Sequence, residues 1–288
     1  VKIVSSKRCL EYRVMGHPES PKRIERVQAC LVEKGLGFCE PEPIEEEEIS
    51  RVHSIGLIEG VKKGDFYDPD TPSIPGIYSH ALLSAGAAVK AMEIALSGEF
   101  AFSLMRPPGH HATRERVGGF CYLNNIAVAA SKAMDTVDKV AIIDIDCHHG
   151  NGTQDIFLGD ERVLYISLHQ SPLYPGTGLT SIKNCLNYPL SPGTGEAEYM
   201  RVLEEALSRV EGFDPDLIGI SAGFDTYRGD PLTQIALEVE SYGKISSLLK
   251  GLGKPSFVVL EGGYSLDLPL CVLEFLKGWR DEDHPSCI

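Results

Sequence analysis

Asp146 and His148 stand two residues apart, a spacing that on an extended strand end turns both side chains to one side and makes a chelate. Asp225, in Gly223-Phe224-Asp225, is the best third ligand, with Gly223 expected to turn the chain sharply where a strand ends. One imidazole and two carboxylates hold a divalent ion while leaving a position open for water and substrate, as a catalytic site requires. The donor set is harder than most zinc sites, so Fe2+ or Mn2+ suits it as well as Zn2+. Taken singly, an Asp at a strand end is commonly an N-cap and one His a hydrogen-bonded structural residue. Here several such groups recur, each at the end of an apolar run.

Those runs are strand-like segments at 100–105, 140–145, 163–168, 217–221 and 257–260, and a further strand opens the chain at Val1 to Val4. Arg106 to His111 follows the first of the five, Asp144 to Gly152 completes and follows the second, and His169 with Tyr174 to Gly178 follows the third. Ala222 to Asp225 and Glu261 to Tyr264 follow the last two. Helical patterns separate most of the runs. Ser20-Pro21 reads as an N-cap and first helical residue, with a stripe of Ile24, Val27 and Leu31 and Gly35 as terminator. Residues 80–96 form an alanine-rich second helix, and the proline-bearing stretch 65–76 reads as a surface loop. Alternating strands and helices predict an α/β fold with a mostly parallel sheet covered on both faces. Such sheets bind ligands beyond the carboxyl ends of their strands, so the five loops should meet on one edge, with five of the nine histidines among them.

The 288 residues, 43% hydrophobic, suit one large domain spanning 1–288. No apolar run is long enough for a membrane helix or a secretory signal, so a cytoplasmic location is expected. A net charge of −14 opposes direct nucleic-acid binding and accommodates a cationic partner. The Glu45 to Glu48 run reads as a solvated face or loop without function. Eight scattered cysteines, with no C-x-x-C pair, read as free thiols.

Together these motifs resemble the histone deacetylase family within the arginase and deacetylase superfamily, over nearly the whole chain. The likeness is carried by His17 to Arg23, Arg106 to Ala112, Gly118 to Asn125, Asp144 to Gln154, Pro175 to Gly178, Ser221 to Asp225 and Glu261 to Tyr264. Asn151 with Gly152-Thr153-Gln154 resembles the class II branch and its bacterial and archaeal relatives, acetylpolyamine amidohydrolases included, where class I enzymes usually carry Asp at the Asn151 position.

The resemblance implies an eight-stranded sheet between helical layers, a zinc ion on Asp146, His148 and Asp225, and hydrolysis of an acetyl amide. His111 is implied as general base and then general acid, and His110 as a second proton-handling group oriented by Asp144. Asn151 is implied to accept a hydrogen bond from the His111 ring, and Tyr264 to donate to the oxyanion. Phe120 and Tyr174 resemble the aromatic walls of an acyl-lysine channel, Gly119 offers backbone contact to substrate, and Asp70 falls near a rim carboxylate or a plain turn. Arg23 resembles an arginine behind the site. The family's structural potassium ion would fall to Asp144, Ser167 and the backbones of Asp146, His148 and Leu168. His17, His53, His80 and His284 fit no comparable pattern, and surface or capping roles are expected of them. The partner implied is an acetylated lysine-containing protein or an acetylated amine. Rival readings are an arginase-like ureohydrolase, which needs a second Asp-x-Asp pair that Gly223 to Tyr227 lacks, and a silent acetyl-lysine binding module, which would not need His110, His111 and Tyr264.

Overall fold

Val140–Asp144 (β4) reads VAIID and is buried at every position, as are Leu217–Ala222 (β7) and Ser256–Leu260 (β8), the signature of strands covered on both faces. The computed structural model describes residues 1–279; His284 and Cys287 lie outside the described residues. Around those three strands lie Lys2–Val4 (β1), Phe38–Cys39 (β2), Ala101–Ser103 (β3), Val163–Gln170 (β5) and Cys185–Leu190 (β6). All eight pair in parallel, in the order β2-β1-β3-β8-β7-β4-β5-β6.

On one face Ile77–Leu96 (α4) crosses β1, β3 and β8 and packs against Asn125–Ala133 (α5). Its alanines Ala81, Ala85, Ala88, Ala91 and Ala95 are buried, which allows close approach to the sheet. Pro21–Glu33 (α1), Leu268–Gly278 (α9), Val239–Gly251 (α8) and Glu196–Phe213 (α7) pack on one another in that order, α7 also covering β5 and β6. Short helices at Glu46–Ile49 (α2), Ile55–Lys63 (α3) and Asn151–Phe157 (α6) complete the helical layers. One apolar cluster runs without a break from Ile3 to Leu276. No helix among the described residues is long and apolar enough to cross a membrane.

The arginase and deacetylase-like α/β fold expected from the motifs is present, with the sheet wholly rather than mostly parallel. Ser20 occupies the N-cap of α1 by its backbone, without a side-chain cap bond, and Gly35 takes a left-handed φ of 73° just past the helix end. The sequence reading omits β2, only two residues long, and β6, an edge strand carrying Pro189. Of the two readings of Glu45 to Glu48, the solvated face is the one found: the run opens α2, where Glu46 pairs with Lys62 at 2.8 Å and Glu48 with Arg51 at 2.9 Å. The seven cysteines among the described residues are free.

Candidate active site and metal centre

β3, β8, β7, β4 and β5 are consecutive neighbours in the sheet, so the loops leaving their carboxyl ends converge on one edge. Asp146, His148 and Asp225 lie there with one potential ligand atom each, all within 4.8 Å of one another. β4 ends at Asp144, so Asp146 and His148 stand in the loop beyond it and not on an extended strand end; the loop makes the chelate. His148 Nδ1 lies 3.0 Å from Asp146 Oδ1 and 2.8 Å from Asp225 Oδ2. The other oxygens are held by backbone: Cys147 N–H donates to Asp225 Oδ1 at 2.9 Å and Gly262 N–H to Asp146 Oδ2 at 2.7 Å.

Asp225 Oδ2 is buried without a partner in hydrogen-bonding geometry, although His148 Nδ1 is close. A buried anionic oxygen in that state is costly unless a cation completes it. The cluster also attracts positive charge: burial alone would favour a neutral His148, yet Asp146 and Asp225 hold it up at about 10. The donor set therefore fits a divalent ion, with His148 binding through Nδ1. Gly223 differs from its expected part. It does not take a left-handed φ; a Cβ there would stand 2.6 Å from the Asp146 Cα, so the residue serves close approach and not a turn.

Two histidines flank the triad with opposite electrostatics. His110 Nδ1–H donates to Asp144 Oδ2 at 3.0 Å, and Tyr165 O–H donates to the same oxygen at 3.0 Å. Burial opposes a charge on His110, but Asp144 and Asp146 outweigh it and raise the ring to about 10. His111 Nδ1–H donates to the neutral Asn151 Oδ1 at 2.8 Å, which leaves Nε2 as the ring's acceptor. Burial, followed by the charges of His110 and His148, pushes His111 well below the usual imidazole range.

Tyr264 closes the opposite side. Its hydroxyl is pushed well above the ordinary range by burial, and the Arg23 guanidinium lies 4.7 Å from its ring centroid. Arg23 sits behind the site as expected, donating at 2.6 Å to both Gly263 O and Glu261 O. Glu19, buried, joins Arg23 at 3.2 Å to Arg106, whose Nε and Nη2 each donate to it at 2.7 Å. The 106–111 and 261–264 loops are thereby tied to the chain's first helix.

A cavity of about 240 Å³ descends to this centre between Phe120 and Tyr174, with Gly119, Asp70, His110, His111, Asp146, His148, Gly262 and Tyr264 also on its walls. Gly119 has φ 51°, and a Cβ there would collide with the His111 ring. Pro108, from the Arg106 to Ala112 motif, lines the cavity as well, as do Leu173 and Leu232, which were not singled out from sequence, having no signature beyond their apolar character. Of the candidate potassium residues, Asp144 and Ser167 are register partners across β4 and β5, and Ser167 Oγ lies 2.9 Å from His169 Nδ1.

Three residues carry more than was expected of them. Glu261 Oε2 accepts Gly109 N–H at 2.7 Å and His110 N–H at 3.2 Å, anchoring the histidine loop; burial raises this carboxyl to about 7. His53 has no surface role: buried, it donates from Nδ1 to Thr113 O at 2.9 Å and accepts Asn124 N–H on Nε2 at 2.8 Å. His17 packs edge-on against Phe120, with ring centroids 4.6 Å apart, and Nε2 bonds Asp70 O at 3.1 Å. His80 stays half-buried beside Tyr12, centroids 5.0 Å apart.

The histone deacetylase domain model matches residues 17–278. The chain belongs to the histone deacetylase family. A probable deacetylase of Archaeoglobus fulgidus is 38% identical over 87% of this chain and 77% of its own length. Acetylpolyamine amidohydrolase 1 of Pseudomonas aeruginosa is 39% identical over 74% of this chain and 66% of its own. The crystal structure of the HDA15 HD domain superposes with a TM-score of 0.90 at 33% identity, covering 96% of this chain and 87% of that one. As a member of the family the chain is a hydrolytic enzyme of the deacetylase and amidohydrolase kind.

Proposed function

We propose that this histone deacetylase family member removes the acetyl group from acetyl-lysine in proteins or peptides, using a single zinc-type ion on Asp146, His148 and Asp225, within one catalytic domain spanning residues 1–288. The observation that carries the reading is the convergence, on one narrow cavity, of a divalent-ion donor set, the free Nε2 side of His111 and Tyr264. When bound, the ion would polarise the amide carbonyl and lower the pKa of a water molecule.

His111 Nε2 takes the proton of the attacking water and returns it to the leaving amine, its low basicity keeping it neutral and ready to accept. His110, charged beside Asp144, stabilises developing negative charge without giving up its proton. Tyr264 donates its hydroxyl to the former carbonyl oxygen as that oxygen gains charge. Phe120 and Tyr174 cover the methylenes of a linear stem, each buried CH2 contributing roughly 0.8 kcal/mol, and Gly119 and Asp70 receive the polar part of the substrate at the mouth. A structural potassium ion would draw on Asp144, Ser167 and the backbones of Asp146, His148 and Leu168.

Acetylpolyamines are the second reading, favoured by the similarity to acetylpolyamine amidohydrolase 1 and by the net charge of −14. The deciding experiment compares kcat/KM for an acetyl-lysine peptide, acetylputrescine and acetylspermidine at one ionic strength. Preference for the peptide is expected. A tenfold or greater preference for the free polyamines would transfer the assignment to the second reading, and no turnover of any of the three would end both.

A further inference from the structure

The buried carboxylate of Asp230 belongs to neither the donor triad nor the histidine pair, and its partners are backbone amides. It lies in the loop after β7, where Asp230 Oδ2 accepts Tyr264 N–H at 2.7 Å and Oδ1 accepts Leu232 N–H at 2.9 Å. Asp230 N–H itself donates to Tyr227 O at 2.9 Å, so the carboxylate is fixed at its own base. Leu232 and Tyr264 are both cavity walls, one supplied by the β7 loop and the other by the β8 loop. One carboxylate thus pins a residue on each loop.

We propose that Asp230 is a positioning residue for the reaction: it fixes the backbone of Tyr264 so that the tyrosine hydroxyl stands where the amide oxygen acquires charge. The inference rests on the deacetylase reading of the site. Its physical content is that an oxyanion donor works through preorganisation, so a donor displaced by a fraction of an ångström loses much of its effect even though the group remains. The Tyr264 ring has two further supports, with Arg23 over its face and Phe120 edge-on at 5.9 Å. Neither ring contact grips the Tyr264 N–H; Arg23 Nε–H holds the other end of that peptide group, donating to Gly263 O at 2.6 Å, and Asp230 holds the N–H end. Two N–H donors aimed at two oxygens require an acceptor on both sides, and carboxylate provides it. Carboxamide presents one oxygen and one NH2 group, so Asp230→Asn preserves shape but faces one of the two amides with another donor.

The test is a double-mutant cycle on the metal-loaded enzyme with an acetyl-lysine peptide, using wild type, Asp230→Asn, Tyr264→Phe and the double variant. Asp230→Asn should lower kcat by about tenfold, with KM within about twofold and metal content unchanged, and Tyr264→Phe by about a hundredfold. In the Tyr264→Phe background, Asp230→Asn should cost less than about twofold, because the hydroxyl it positions is gone. Equal tenfold losses in both backgrounds, a change confined to KM, or a wild-type kcat in Asp230→Asn would each overturn the inference while leaving the deacetylase reading intact. Inactivity of wild type on the peptide and on both acetylpolyamines would remove both. Should Asp230→Asn fold poorly, Asp230→Ser, whose hydroxyl can serve one of the two amides but not both, goes through the same cycle: a kcat loss of about tenfold with Tyr264 present and under about twofold in the Tyr264→Phe background supports action through Tyr264, and equal losses in both backgrounds refute it.

Discussion

Two acidic groups in this molecule make an instructive pair. Glu45 to Glu48 is the densest run of charge in the chain, while Asp144, Asp146, Asp225 and Glu261 are scattered over more than a hundred positions. In the fold the run lies on the outside, pairing with Lys62, Arg51 and Lys132, as surface acids ordinarily do. The scattered set is buried and shares one sheet edge, with backbone amides as its partners in Asp146, Asp225 and Glu261. Density along the chain marks a solvated surface; convergence across strand ends marks a place where chemistry repays the cost of burying charge.

The largest expected effect comes from removing the reason for that burial. Purified protein should contain about one equivalent of divalent ion by elemental analysis. Asp225→Ala with His148→Ala should abolish both the ion and turnover, the latter by on the order of a thousandfold or more, whereas His111→Ala should lose turnover and retain the ion. Metal content unchanged in the double variant would dissolve the distinction between the two acidic groups. Chelation should also lower the melting temperature, since the ion binds only the folded arrangement of its ligands.

A second expectation concerns His53, which follows the acidic helix in sequence but behaves like the interior. Burial holds it at about 4, below the ordinary 6.5. A base with a depressed folded-state pKa contributes fully above the unfolded value, and its contribution falls away as the pH drops from about 6.5 toward 4. Chemical denaturation across that window should show wild type losing about 3 kcal/mol more than His53→Gln, by roughly 1.4 kcal/mol per pKa unit. Parallel pH profiles would show that His53 titrates as an exposed imidazole does.

Asp146, His148 and Asp225 stood out in the sequence because they lie just past apolar runs, where an open α/β sheet gathers its ligands, whereas the parts of His110, His111, Asn151 and Tyr264 were implied by the family resemblance. Glu261 was legible only as part of a motif, and Asp230 and His53 not at all. Their partners are main-chain N–H and C=O groups, which every residue possesses, so no residue type records the contact. Gly223 was seen for the wrong reason, because a glycine needed for space and one needed for a turn look alike in one sequence. The short edge strands escaped because two residues, or six interrupted by proline, carry too little periodicity.

The smallest expected effect belongs to the conspicuous run. Glu46→Gln with Glu47→Gln should leave kcat/KM unchanged and the melting temperature within about 3 °C of wild type, since exposed ion pairs are weak and salt-screened. A tenfold loss of activity would mean that the surface acids take part in substrate approach, and the contrast with the buried set would narrow to one of degree.

The carboxylate grips between loops have a consequence for how the sheet edge breathes. Asp146 holds an amide of the β8 loop, Asp225 one of the β4 loop, Glu261 two of the β3 loop, and Asp230 that of Tyr264. The β3, β4 and β8 loops are thus each fastened by a residue from another strand's end, and none can open without releasing a buried carboxyl oxygen from its donor. In deuterium exchange the amides of Gly109, Cys147, Gly262 and Tyr264 would take up label together, on the slow clock of a single cooperative opening, while the 65–76 segment exchanges on its own much faster one.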